Sequence, residues 1–185
     1  RIDKLRRLGL TVRVVTTHRL PDIATALEHI GRWLGTEKTA ARTATLFRER
    51  LAALQKSHVH ASPVRVFFQI GTRPAYTING KSPISAALAV CGGVNVFAAL
   101  PRIAEPVSAE AILAAQPQVV LYGQSVSRAE INAFWSRLSR VPARANGYIF
   151  AVNIDKLTGT PQIIAGIRHV CGLLDRVRSS MPRHK

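Results

Sequence analysis

Residues 64–97 read "VRVFFQIGTRPAYTINGKSPISAALAVCGGVNVF". The first seven are β-branched or aromatic for the most part and predict a strand, closed at Gly71. Residues 71–83 are rich in Gly, Pro and Asn and predict a loop. "ISAALAV" predicts a helix, which Gly92 and Gly93 stop. Cys91 stands at the end of that helix, and the chain holds 2 cysteines in all, the other being Cys171.

The alternation continues downstream. "VSAEAILAAQ" (107–116) predicts a short helix, with Ser108 as N-cap and Glu110 in the first turn, where the dipole favours a carboxylate. "QVVLYG" (118–123) predicts a strand, "SRAEINAFWSRL" an amphipathic helix, "GYIFAVN" a strand and "PQIIAGIRHVCGLLDRV" a final helix. Strands alternating with helices from residue 64 to 177 predict an α/β lobe with a mostly parallel sheet. No internal repeat is present. "SSMPRHK" (179–185) ends the chain as a basic tail.

Upstream, "LTVRVV" (10–15) predicts a short strand. Ile23, Leu27, Ile30 and Leu34 follow at the spacing of one helix face, which Gly35 terminates. Thr36 is placed to cap the next helix, with Glu37 in its first turn. Ala40, Ala44, Phe47, Leu51 and Leu54 keep helical spacing, so residues 37–56 predict a helix about 30 Å long. "KSHVHASP" (56–63) predicts a linker whose histidines, His58 and His60, are solvated.

With 185 residues, 47% of them hydrophobic, the chain suits one domain, or one domain and a fragment of another. No apolar run reaches the length of a membrane span. "RIDKLRRLGL" lacks the apolar stretch of a signal peptide and reads as the interior of a longer protein. Lys and Arg number 26 against 10 acidic residues, a formal charge of +16 that favours anionic partners. A basic nucleic-acid-binding domain rests on that charge alone, because no recognition helix, zinc finger or aromatic-basic strand accompanies it.

The chemical motifs are weak. "INGKS" (78–82) resembles the end of a phosphate-binding loop, but Ala75 stands where that motif needs glycine. His58 and His60 have no cysteine or acidic residue at metal-ligand spacing. Cys91 at a helix C-terminus meets the negative end of the dipole, which disfavours a catalytic thiolate. Two cysteines are too few for structural zinc. Two buried thiols and one disulfide both remain open, the latter closing 171 − 91 = 80 residues.

The quoted stretch resembles the second lobe of the periplasmic cobalamin-binding proteins of bacterial ABC importers, and more broadly the class III, helical-backbone substrate-binding proteins. "PVSAEAILAAQPQVVLYG", "VPARANGYIFAVNID" and "GTPQIIAGIRHVCGLL" continue the pattern in order, and "LPDIATALEHIGRWLGTEKTAARTATLFRERLAAL" resembles the backbone helix and its lead-in. The resemblance implies a Rossmann-like three-layer lobe preceded by a long inter-lobe helix. It divides the chain into a first-lobe remnant (1–20), lead-in and backbone helices (21–62), the second lobe (63–178) and the tail (179–185).

It also implies a receptor rather than an enzyme, with no catalytic residue, metal or cofactor, working as a monomer in the periplasm. Its partners would be an ABC permease and a small-molecule ligand, with no nucleic acid. Cys91 and Cys171 would form a disulfide. Tyr76 would lay an aromatic face on a macrocyclic ligand, Asp155 would accept hydrogen bonds from ligand amides, and Glu110 would dock the lobe onto permease arginines. Two departures remove ligand contacts: Ala104 stands near the position of a family tryptophan, and "KLTGTP" (156–161) is short and lacks an arginine. The resemblance makes cobalamin the expected ligand, and these departures bring in another corrinoid, haem or a ferric siderophore as alternatives.

Overall fold

The computed structural model describes residues 2–17 and 19–181. Residues 182–185 of the expected basic tail lie outside the described residues. The sheet is organised on β1 (Val64–Thr72). On one side β1 pairs in parallel with β5 (Val119–Gly123), and β5 with β6 (Ile149–Val152). On the other side the first residues of β1 pair in parallel with β3 (Gly93–Asn95). Its last residues pair antiparallel with β2 (Ala75–Ile78), which pairs antiparallel with β4 (Ala104–Val107).

The continuous apolar runs of β1 and β5 are those of strands covered on both faces. Val64, Val66 and Phe68 of β1, with Val119 and Leu121 of β5, enter a core closed by α4 (Pro83–Val90) and α8 (Ile163–Ser180). Phe67, Val120 and Tyr122 enter a second core on the opposite face. That face is covered by α5 (Ala109–Ala115), α6 (Arg128–Trp135) and α7 (Pro142–Ala145). The lobe is thus three layers, helices on both sides of a sheet.

Before the lobe come α1 (Ile2–Arg7), α2 (Asp22–Leu34) and α3 (Glu37–His58). α3 has 22 residues and spans about 33 Å at 1.5 Å per residue. Its Ala44, Phe47 and Leu51 are buried with Ile23 and Ala24 of α2 in the same core as α4 and α8. At the far end of α3, Arg178 of α8 acts as a latch. Its guanidinium donates to Ser62 O at 2.7 Å, to Cys91 O, and to Asp175 Oδ1 at 2.7 Å. The other Asp175 oxygen meets His58 Nε2 at 3.2 Å.

Cys91 and Cys171 are joined in a disulfide, Cα to Cα 4.8 Å, closing the choice that residue chemistry left open. It ties the C-cap of α4 to the middle of α8. Gly92 follows in the left-handed region, φ 68°, and a Cβ there would stand 2.8 Å from the Arg178 guanidinium.

Several local expectations are corrected. Residues 10–15 form no strand, because no neighbouring strand supplies them with ladder bonds. Residues 71–83 hold β2, hidden in the sequence by the turn residues around it. The linker is shorter than expected: α3 runs on through His58, whose side chain is only 11% exposed and so is not a solvated one. Thr36 makes no side-chain cap bond, its ψ of 34° being outside the extended region a cap needs. On α2 the buried positions are Ile23, Ala24, Ala26 and Gly31, whereas Ile30 and Leu34 are exposed. The helix presents Gly31 to α3, where a Cβ would lie 2.2 Å from that of Ala40.

Candidate functional site

In an open α/β sheet the crevice beyond the carboxyl ends of the parallel strands is the favoured place for a ligand. Here those ends are Thr72 of β1, Gly123 of β5 and Val152 of β6. β4 runs with β1, because β2 is antiparallel to both. Its last residue, Val107, pairs with Ala75, which pairs with Thr72, so β4 ends at the same edge. The topology therefore brings Tyr76 on β2, Glu110 at the start of α5 and Asp155 in the turn after β6 to one edge of the sheet.

Tyr76 lies on β2 beside the two-residue turn Arg73-Pro74. It is 38% exposed, although Ala75 and Thr77 on either side are buried. Its ring leans over Gly71, where a Cβ would meet Tyr76 Cδ2 at 3.9 Å. An exposed aromatic held at a sheet edge offers a large, stiff contact face at low entropic cost. Ala104 lies on the same face, since Tyr76 pairs with Pro106 and Ile78 with Ala104. It is small and exposed, so this face beside Tyr76 carries no second aromatic there.

Asp155 lies across the edge, beyond β6, two strand spacings or about 10 Å from the end of β1. Asn153 Oδ1 accepts from the Asp155 N–H at 2.9 Å and starts the 3₁₀ turn Ile154–Leu157. The Asp155 carboxylate is exposed, and among the described residues no hydrogen bond or ion pair to it is found. The loop after it touches the segment before α2: a Cβ on Gly159 would lie 2.5 Å from Thr17 Oγ1. That contact joins the lobe edge to Thr17, between α1 and α2, and nothing in the sequence signalled it.

Glu110 occupies the first turn of α5, where Ser108 Oγ accepts from the Ala111 N–H at 3.2 Å. The Glu110 backbone N–H, and then the Ser108 hydroxyl, hold its carboxyl below the ordinary carboxylate range. It stays ionised above that range and loses its charge only as the pH falls through the lowered value. Exposed and charged at a helix start, it is available to a cationic partner.

A cavity of about 330 Å³ lies between the β1–β2 turn and α6, lined by Thr72, Arg73, Ala109, Glu130, Phe134 and Leu138. A larger cavity, about 520 Å³, is elsewhere, beside His58, Ala61 and Gly92 near the amino end of β1. Arg73 and Glu130, which sequence reasoning passed over, pair at 3.2 Å across the smaller one. Among the described residues no group of three or more His, Cys, Asp or Glu gathers to hold a metal ion. No described helix is long and apolar enough to cross a membrane.

No protein-family model matches the chain. It is similar to the vitamin B12-binding protein of Vibrio parahaemolyticus serotype O3:K6, 30% identical over 179 residues. The match covers 96% of this chain and 64% of that relative, so the chain spans less than two thirds of its length. Among solved structures it superposes on the periplasmic vitamin B12 binding protein BtuF of Vibrio cholerae with TM-score 0.85 and 29% identity, covering 97% of this chain and 70% of that one. The periplasmic heme-binding protein RhuT from Roseiflexus sp. RS-1 also superposes with TM-score 0.85, at 20% identity, covering 96% and 71%. The fold is the helical-backbone, class III periplasmic-binding-protein fold, and the resemblance read from the sequence extends over nearly the whole chain.

Proposed function

We propose that this chain forms the backbone helix and second lobe of a periplasmic solute receptor for an ABC importer, taking cobalamin or a related corrinoid between two lobes. In this reading residues 1–20 belong to the first lobe, 21–62 are lead-in and backbone helices, 63–178 are the second lobe and 179–185 a tail. The observation that carries it is the similarity to vitamin B12-binding proteins over 96% of the chain, together with an exposed aromatic and a free carboxylate on one sheet edge.

Each residue then has a role. Tyr76 lays its ring on the flat face of the macrocycle. Asp155 accepts hydrogen bonds from the amides at its rim. Glu110 meets permease arginines, its charge secured by the helix start. The receptor works as a monomer and does no chemistry on its ligand. α3, packed along its length, limits lobe closure, so binding involves a small motion.

Haem is the second reading. Ala104 leaves space beside Tyr76, and the heme-binding RhuT superposes as well as BtuF does. Titrations of Tyr76→Ala and Asp155→Asn with cyanocobalamin and with hemin test the site. Losing the aromatic face should weaken cyanocobalamin about tenfold or more, the cost of losing a buried aromatic contact. Losing the Asp155 charge should weaken it about threefold to tenfold, the scale of a charge-assisted hydrogen bond. Unchanged affinity in both variants would remove this edge from the binding site.

A further inference from the structure

We propose that Gln69, Arg73, Glu130 and Trp135 are positioning residues that brace the Tyr76 hairpin against α6 and so set the aromatic's place in the cleft. The proposal rests on the reading of Tyr76 as a ligand contact. It begins from an irregularity in the sheet. Gln69 pairs with Thr77, yet Gly71 pairs with Tyr76, so two residues of β1 advance while β2 advances one. Ile70 is the extra residue of a β-bulge at the base of the hairpin. Bulges bend a strand and re-aim its side chains, and they recur beside functional sites.

The bulge is held by a buried amide. Gln69 is 0% exposed, and a buried amide is tolerated only with its partners in place. Its Oε1 accepts from the Trp135 indole N–H at 2.8 Å, and its Nε2 donates to Gly71 O at 2.9 Å. Gly71 is the residue opposite Tyr76. Trp135 is itself 0% exposed, its ring edge-to-face with Phe67 at 5.9 Å. A chain of bonds therefore runs from α6 to the backbone facing Tyr76.

The second tie is at the hairpin tip. Arg73 donates to Glu130 Oε1 at 3.2 Å. Glu130 is fixed in turn by Ser127, whose N–H and Oγ bond its other oxygen at 3.3 and 3.0 Å in a capping box at the start of α6. Between tip and helix lies the 330 Å³ cavity, and the Arg73–Glu130 pair ties the tip to α6 across it. Arg73 is 83% exposed, and such a pair contributes little to stability. Its effect on Tyr76 is therefore separable from any effect on the fold.

The experiment labels the full gene product with 3-fluorotyrosine. Of that product's tyrosines 3 lie in this chain, and Tyr76→Phe assigns the resonance of interest. Arg73→Gln should move or broaden the Tyr76 resonance and weaken cyanocobalamin about threefold to tenfold, with the melting midpoint within about 2 °C. Arg73→Lys keeps the charge pair and should restore both. Trp135→Phe, which removes the indole donor, should move the same resonance. Arg73→Gln combined with Tyr76→Ala should bind no more weakly than Tyr76→Ala alone. An unmoved resonance, or losses that add in full, would overturn the brace. Wild-type affinity in Tyr76→Ala would instead sink the ligand-contact reading, and the resonance would still decide the brace.

Discussion

Replacing Cys91 and Cys171 together by alanine lowers the melting midpoint by about 10 °C. The bridge closes 80 residues, and the chain-entropy argument assigns such a loop about 4 kcal/mol. For a domain of this size each kcal/mol corresponds to about 2–4 °C. The position matters as well as the length. The bridge joins the C-cap of α4 to α8, and both helices cover the same face of the sheet. Cys91 is also where the Arg178 latch takes hold, through the Cys91 carbonyl. Thermal melts of oxidised wild type and the double variant check this. A loss under about 2 °C would mean that packing between α4 and α8 already restrains the open chain.

Gly166→Ala destabilises the lobe by about 3 kcal/mol and, on the receptor reading proposed above, weakens ligand binding. A Cβ at Gly166 would stand 2.0 Å from Lys156 O and 2.9 Å from Leu157 Cδ2. The obstacle is backbone, so either α8 or the 3₁₀ turn must move, and overpacking of this kind costs about 1–3 kcal/mol or more. That turn carries Asp155, which links a packing defect to the cleft edge. Gly172→Ala on the same helix is the control. A Cβ there meets nothing within 4 Å, so the variant should be neutral or slightly stabilising through helix propensity. Denaturant titration of both variants gives the comparison. Equal stability would show that the contact at Lys156 yields without cost.

The α/β alternation was legible because its signals are local. "VRVFFQI", "QVVLYG" and "GYIFAVN" carry runs of apolar, largely β-branched and aromatic residues, and each contains a strand. Ser108 is the N-cap of α5, as a serine before an apolar run suggests. β2 escaped notice because "AYTI" lies between Pro74 and Asn79-Gly80, where turn residues outweigh four strand residues. "LTVRVV" has strand composition but no strand beside it, and pairing is a tertiary property.

The proposed site was legible in pieces. Tyr76, Glu110 and Asp155 came from resemblance, and their meeting at one edge follows from strand order, which spacing along the chain does not contain. The Arg73–Glu130 pair joins residues 57 apart, and the Gln69–Trp135 bond joins residues 66 apart. Neither has a local signature. Gln69 in particular reads as an odd polar residue in an apolar strand until the indole beside it is seen.

Calorimetric titration of the full gene product with cyanocobalamin decides whether this is a corrinoid receptor. Saturable one-to-one binding at submicromolar affinity is expected, with little change in backbone hydrogen exchange outside the proposed cleft. Absence of binding to cyanocobalamin would contradict the assignment of cobalamin, and absence of binding to hemin and ferric hydroxamates as well would contradict the receptor itself.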